Sequence, residues 1–177
     1  MPVTPFHVGP AAVIKAVFRE KFSITIFSFS QILIDLQPLF AMLGANVELH
    51  GISHTYLGAT LIAIISCLVG KPLCQLSLKW WNQHLSTPEN SLLIVKETIS
   101  WQVAISSAFT GTYSHILLDS IMHADLQPFY PIQIKNKLLN LITIDSLHIL
   151  CAVAGVIGLI GYFLDSYFLR RRTLQDS

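Results

Sequence analysis

The sequence predicts an all-α fold, a polytopic membrane helix bundle of four to five spans with a short first helix. Three observations carry that prediction. Of the 177 residues only 12% are charged and 53% are hydrophobic, whereas soluble domains carry about 25% charged residues. Apolar runs at 22–43, 99–122 and 138–164 match the roughly 20 residues needed to cross a bilayer. The histidines and acids that interrupt them gather near one end of each run. Length and composition suit a single membrane-embedded helical domain, 1–177, with an interfacial cytoplasmic segment at 71–98 and a cytoplasmic tail at 170–177.

Pro2, Pro5, Gly9 and Pro10 open the chain in non-helical backbone, and Pro10 suits the first turn of a helix. Residues 11–18 form a short helix that Arg19-Glu20-Lys21 ends. The run 22–43 is the first full span and carries Asp35, Gln37 and Pro38 towards its end. After a polar break at 45–51, residues 55–69 form a shorter span that Gly70-Lys71-Pro72 should bend or end. Segment 71–96 mixes Trp80, Trp81, His84, Pro88 and Glu89 with apolar residues, as interfacial segments do. The run 99–122 follows. A loop containing Pro128 and Pro131 then leads to the last run, where Gly155, Gly158 and Gly161 permit close helix contact. Cys67, Cys74 and Cys151 lack CxxC spacing and are expected as buried thiols. The first nine residues hold no lysine or arginine, so no secretory signal peptide is expected.

The positive-inside rule sets the orientation. With five helices and an external N-terminus, Arg19, Lys21, Lys71, Lys79, Lys96 and Arg170, Arg171 and Arg172 fall inside, leaving Lys135 and Lys137 outside. The same topology puts six of the seven histidines on the outer side, together with Asp35, Asp119, Asp125 and Asp145. A net charge of +1 and the lack of a basic stripe exclude a nucleic-acid partner. The absence of G-x-S-x-G, P-loop and G-x-G-x-x-G patterns removes the commonest nucleophile and nucleotide motifs.

His115 and Asp119 are one helical turn apart, as are His50 and His54 if that segment is helical. His123 would continue the first stripe if the helix persists. Ionisable groups in a membrane-length run are costly and normally face a protein interior or wet cavity. Imidazole and carboxylate donors together suit a divalent metal ion, zinc first and manganese or iron next. The expected ligands are His115, Asp119, His54 and Asp35, with His50 and His7 as fifth and sixth. Asp125 and Glu48 are the candidates to orient or deprotonate water as catalytic residues. The competing reading of the His115–Asp119 pair is a helix–helix hydrogen bond or a proton relay.

The segments MPVTPFHVGPAA, ILIDLQP, HGISHTYLGAT and GTYSHILLDSIMHAD together resemble the YdjM-like family of small bacterial inner-membrane proteins, described as metal-dependent hydrolases and formerly as a domain of unknown function. The resemblance spans position 1 to about 164 and is weakest over 79–100. It implies a multi-pass protein of the cell inner membrane, with His7, Asp35, His50, His54, His115 and Asp119 as ligands. Broader members carry a paired DxD in the second helix, where this chain has Gln37, and a longer spacing between the loop histidines. The missing acid argues against a two-metal site. The expected function is hydrolysis of an ester or phosphoester at the outer membrane face, with membrane lipids and a small-molecule or lipid substrate as partners. A non-catalytic metal-binding or transport-accessory protein is the first alternative, and an ion-coupled transporter the second.

Overall fold

The computed structural model describes residues 5–84 and 94–175, without the side chains of Pro5 and of residues 169–175. Pro88, Glu89 and the side chains of Arg170, Arg171 and Arg172 therefore lie outside the described residues. Those described form five helices and no strand. They are α1 (Gly9–Phe18), α2 (Ile24–Met42), α3 (Tyr56–His84), α4 (Trp101–Met122) and α5 (Ile144–Gln175).

Local chemistry fixes the helix starts. Pro10 sits in the first turn of α1, where its missing N–H costs nothing. Ser23 caps α2 by accepting from Ile26 N–H, Thr55 caps α3 through Gly58 N–H, and Ser100 caps α4 through Val103 N–H. Each hydroxyl satisfies one of the orphan donors of a helix N-terminus.

Helix α3 departs from expectation. It does not stop at Gly70-Lys71-Pro72 but continues to His84, passing through a π-helical segment at Ser66–Gly70. Pro72 has no N–H to give, and its ring crowds the carbonyl four residues back. A locally widened turn relieves both problems without ending the helix. At 29 residues α3 is about 43 Å long, so its last turns project beyond a hydrocarbon core of about 30 Å. Lys71 ties α3 to the start of α4, with its ammonium 4.6 Å from the Trp101 ring centroid. The returning chain is pinned to this projection. Asn82 binds both backbone groups of Val95, at 2.7 and 3.0 Å, and Gln75 accepts from Ile99 N–H.

Among the described residues, three helices are long and apolar enough to cross a membrane: α2, α3 and the Ile144–Phe168 part of α5. Helix α4 has the length, at 22 residues, but not the apolarity. Its position explains this. Helices α2 and α3 flank it, and it buries Ser107, Thr112, His115, Asp119 and Ser120 among apolar residues. A helix covered by protein need not match lipid. The outward pattern is the reverse, for α5 exposes Ile149, Leu150, Val153, Val156, Ile157, Ile160 and Leu164. Helix α1, with ten residues, is too short to span and lies along α5.

Two glycines set the helix separations. A Cβ at Gly158 would strike the backbone of Ala12 and Val13, so α1 and α5 meet backbone to backbone. A Cβ at Gly111 would strike Ser30 Oγ and the Phe27 carbonyl, which fixes α2 against α4. The three cysteines are free and buried. At one end of the bundle lie the start of α1, the end of α2, the start of α3, the end of α4 and the start of α5.

Candidate metal centre

The buried face of α2 reads Ile26, Phe27, Ser30, Gln31, Ile34, Asp35 and Pro38, an i, i+3/i+4 stripe pointed at α4. Asp35 therefore reaches the bundle axis. It meets His115 and Asp119, both on the buried face of α4. His54 enters from the 3-10 turn Ile52–His54 ahead of α3, and His7 from the turn Pro5–Val8 ahead of α1. All five side chains are buried. Every buried histidine or carboxylate among the described residues belongs to this cluster.

The separations are informative. His115 Nε2 lies 3.2 Å from Asp119 Oδ2 and 3.3 Å from Asp35 Oδ1. His54 Nε2 is 3.4 Å from Asp119 Oδ2 and 3.9 Å from Asp35 Oδ1. His7 Nε2 is 3.6 Å from Asp119 Oδ1. All five exceed a charge-assisted hydrogen bond, roughly 2.7–2.9 Å. Two atoms that each sit about 2.1 Å from a tetrahedral ion are roughly 3.4 Å apart. The Nε2 atoms of His7, His54 and His115 are buried and have no hydrogen-bond partner. Leaving several polar atoms unpaired inside a protein costs about 1–3 kcal/mol each, a penalty that a shared cation removes. Asp35 and Asp119 carry two negative charges when ionised, which balances one divalent ion. The donor set, the spacing and the charge fit a metal site.

The loop histidine is prepared for ligation. His54 Nδ1 lies 2.9 Å from Ser53 Oγ; in the tautomer that donates there, Nε2 turns its lone pair to the cluster. Ser53 is held in turn by its N–H donating to Gln37 Oε1, while Gln37 Nε2 donates to the Glu48 carbonyl. Gln37 thus clamps both arms of the loop bearing His50 and His54. An acid could not donate to that carbonyl, which gives Gln37 a structural role in place of the expected second carboxylate. Burial pushes the imidazoles of His54 and His7 below their ordinary range, His7 to about 4, with the nearby Asp119 carboxylate opposing. Both are neutral bases at neutral pH.

His50 lies at the outer edge of the deep cluster, within reach of His54 and Asp119. Its Nδ1 is 2.8 Å from Asp125 Oδ2, and its ring packs 4.2 Å from the His123 ring, centroid to centroid. For Asp125, burial raises the carboxyl, but the hydrogen bond and charge of His50 outweigh it and hold the acid below the usual range. The His115–Asp119–His123 stripe does not persist, because α4 ends at Met122 and His123 takes extended backbone. Even so His123 Nε2 remains 4.0 Å from Asp119 Oδ1. The loop after it folds back over α4, with Asn136 donating to the Ser120 carbonyl and Asn140 to that of Ile121. His148 is engaged elsewhere, stacked on Phe6 at 4.7 Å. Glu48 is exposed and stays out of the cluster. It lines an open cleft of about 710 Å³ with His50, Thr55, Asp125, Gln127 and Tyr130.

Residues 1–175 match a protein family described as "Domain of unknown function (DUF4184)". The chain belongs to that family. No curated protein and no solved structure matches it. Family membership thus fixes no activity, and the chemistry rests on the side chains. Sequence reasoning named His7, Asp35, His50, His54, His115 and Asp119, and the fold brings all six to one end. It read Gln37 only as a missing acid and gave Ser53 no part in the site, because their roles depend on loop contacts that no spacing reveals.

Proposed function

We propose that this protein is a membrane-bound, metal-dependent hydrolase acting on an ester or phosphoester at the outer face of the inner membrane. The supporting observation is the trio of buried, unpartnered Nε2 atoms of His7, His54 and His115 around Asp35 and Asp119. Those five residues would hold the ion, with zinc the best fit to the donor set and manganese or iron next. When bound, a divalent ion supplies Lewis acidity to a carbonyl or phosphoryl oxygen and to water. The chain's own contribution is to fix the donors. Ser53 sets the His54 tautomer, the α2–α4 contact sets Asp35 against His115, and the neutral imidazoles of His7 and His54 leave both carboxylates to carry the charge.

The cleft supports hydrolysis over passive metal storage. A volume of about 710 Å³ lies within the range of small-molecule sites, and it opens beside His50 and Asp125. Asp125, held ionised, is placed to accept a proton from water in the cleft, whereas Glu48 stands at the rim. A proton relay through the bundle is less well supported. Below the cluster the buried hydroxyls of Ser30 and Thr112 donate to backbone carbonyls, and that of Ser107 accepts from Ser23 N–H. The test is hydrolysis by purified, zinc-loaded protein of bis(p-nitrophenyl) phosphate, p-nitrophenyl acetate and glycerophospholipid in mixed micelles. Turnover that disappears with chelator and in His115→Ala supports the proposal. Tight metal binding without turnover of any ester class favours a storage or accessory role.

A further inference from the structure

We infer that the centre holds two metal ions, the second bound by His50, His123 and Asp125 at the mouth of the cleft. The inference rests on the metal-site reading above and extends it. One ligand atom from each of these three residues lies within 4.8 Å of the other two. The group shares no residue with the groupings of His7, His115 and Asp119 or of Asp35, His54 and His115, while a further grouping of His50, His54 and Asp119 joins the outer set to the deep one. A single first-row ion takes four to six protein and solvent donors at about 2.0–2.2 Å. Five deep side chains and three outer ones cannot all reach one point at that distance.

Geometry links the two groups. The rings form a chain from the outer group to the interior, with centroids 4.2 Å apart from His123 to His50, 5.0 Å from His50 to His54, and 5.4 Å from His54 to His115. Asp119 faces both groups. Its Oδ2 is nearest His54 and His115, while Oδ1 is 3.6 Å from His7 and 4.0 Å from His123. Asp119 would thus be a carboxylate within reach of both ions, its Oδ1 lying between His7 of the deep group and His123 of the outer one. His50 Nδ1 and Asp125 Oδ2 are joined by a 2.8 Å hydrogen bond, which the outer ion would replace. The carboxylate lost at Gln37 is thus replaced from the loop after α4. The outer ion would be the one facing the cleft, since His50 and Asp125 line it.

The discriminating experiment counts Co²⁺ bound per chain during titration of metal-stripped, detergent-purified protein, with its visible absorption followed in parallel. Wild type is expected to take two equivalents. His123→Gln and Asp125→Asn, both changes at the accessible mouth, are expected to take one, while His115→Ala loses the deep ion. Circular dichroism confirms that each variant stays helical. One equivalent in wild type, unchanged in number in His123→Gln and Asp125→Asn, overturns the second site and leaves the first standing. If Asp125→Asn alters only the affinity of that single ion, Asp125 merely orients His50, which also overturns it. No bound cobalt in wild type removes both readings.

Discussion

Ser53 and Gln37 touch none of the cluster's facing atoms, yet they decide which nitrogen of His54 is turned inward. Ser53→Ala removes the acceptor at His54 Nδ1 and is expected to weaken zinc binding about 10- to 100-fold, the usual loss for a ligand-orienting partner. Competition with a chromophoric chelator measures it, and unchanged affinity would mean that the hydroxyl does not set the tautomer. Gln37→Glu keeps the side-chain length but cannot donate to the Glu48 carbonyl, so it should also weaken binding. Titration has a defined sign at this scale. Burial holds the imidazole of His7 down at about 4, while in the unfolded chain it titrates near 6.5. Between those values the unfolded state binds the extra proton, so His7 costs the metal-free protein stability as pH falls from 6.5 to 4. Thermal unfolding of chelator-treated protein should therefore drop less steeply over that window in His7→Gln than in wild type. Parallel curves would contradict the burial of His7.

At the scale of elements, the centre depends on helix separations set by missing side chains. Gly158→Val pushes α1 away from α5 at the Ala12–Val13 backbone. Overpacking of this kind costs about 1–3 kcal/mol, and it should also displace His7 and lower metal affinity. Measured together, unfolding midpoint and zinc affinity should fall; a variant as stable as wild type would deny the close contact. Much of this level was legible beforehand. The apolar runs located α2, α4 and α5, and the i, i+4 spacing put His115 and Asp119 on one face. Two features resisted. The continuation of α3 through Pro72 depends on a π-helical turn, which leaves no mark in residue spacing. The exit of His123 from the helix was hidden because a stripe of i, i+4, i+8 looks the same whether or not its last member is helical. Its Nε2 nonetheless comes within 4.0 Å of Asp119 because the loop folds back over the helix end.

Across the whole molecule, polar groups are turned inward at one end and apolar ones outward along α5, the arrangement that lipid favours. The charge distribution predicts that the histidine-rich end faces out. The native cysteines are free and buried, so a cysteine introduced at Lys135 should react with a membrane-impermeant maleimide in intact cells, and one at Lys79 only after lysis. The opposite pattern inverts the topology and moves the cleft to the cytoplasm. The central claim is that imidazoles and carboxylates from separate parts of the chain close on a buried cation. Zinc-edge X-ray absorption of the purified protein examines it most directly. The predicted spectrum has a nitrogen and oxygen shell at about 2.0–2.1 Å with outer-shell imidazole scattering that diminishes in His115→Ala; a sulfur shell, or a spectrum unchanged by that substitution, would contradict it.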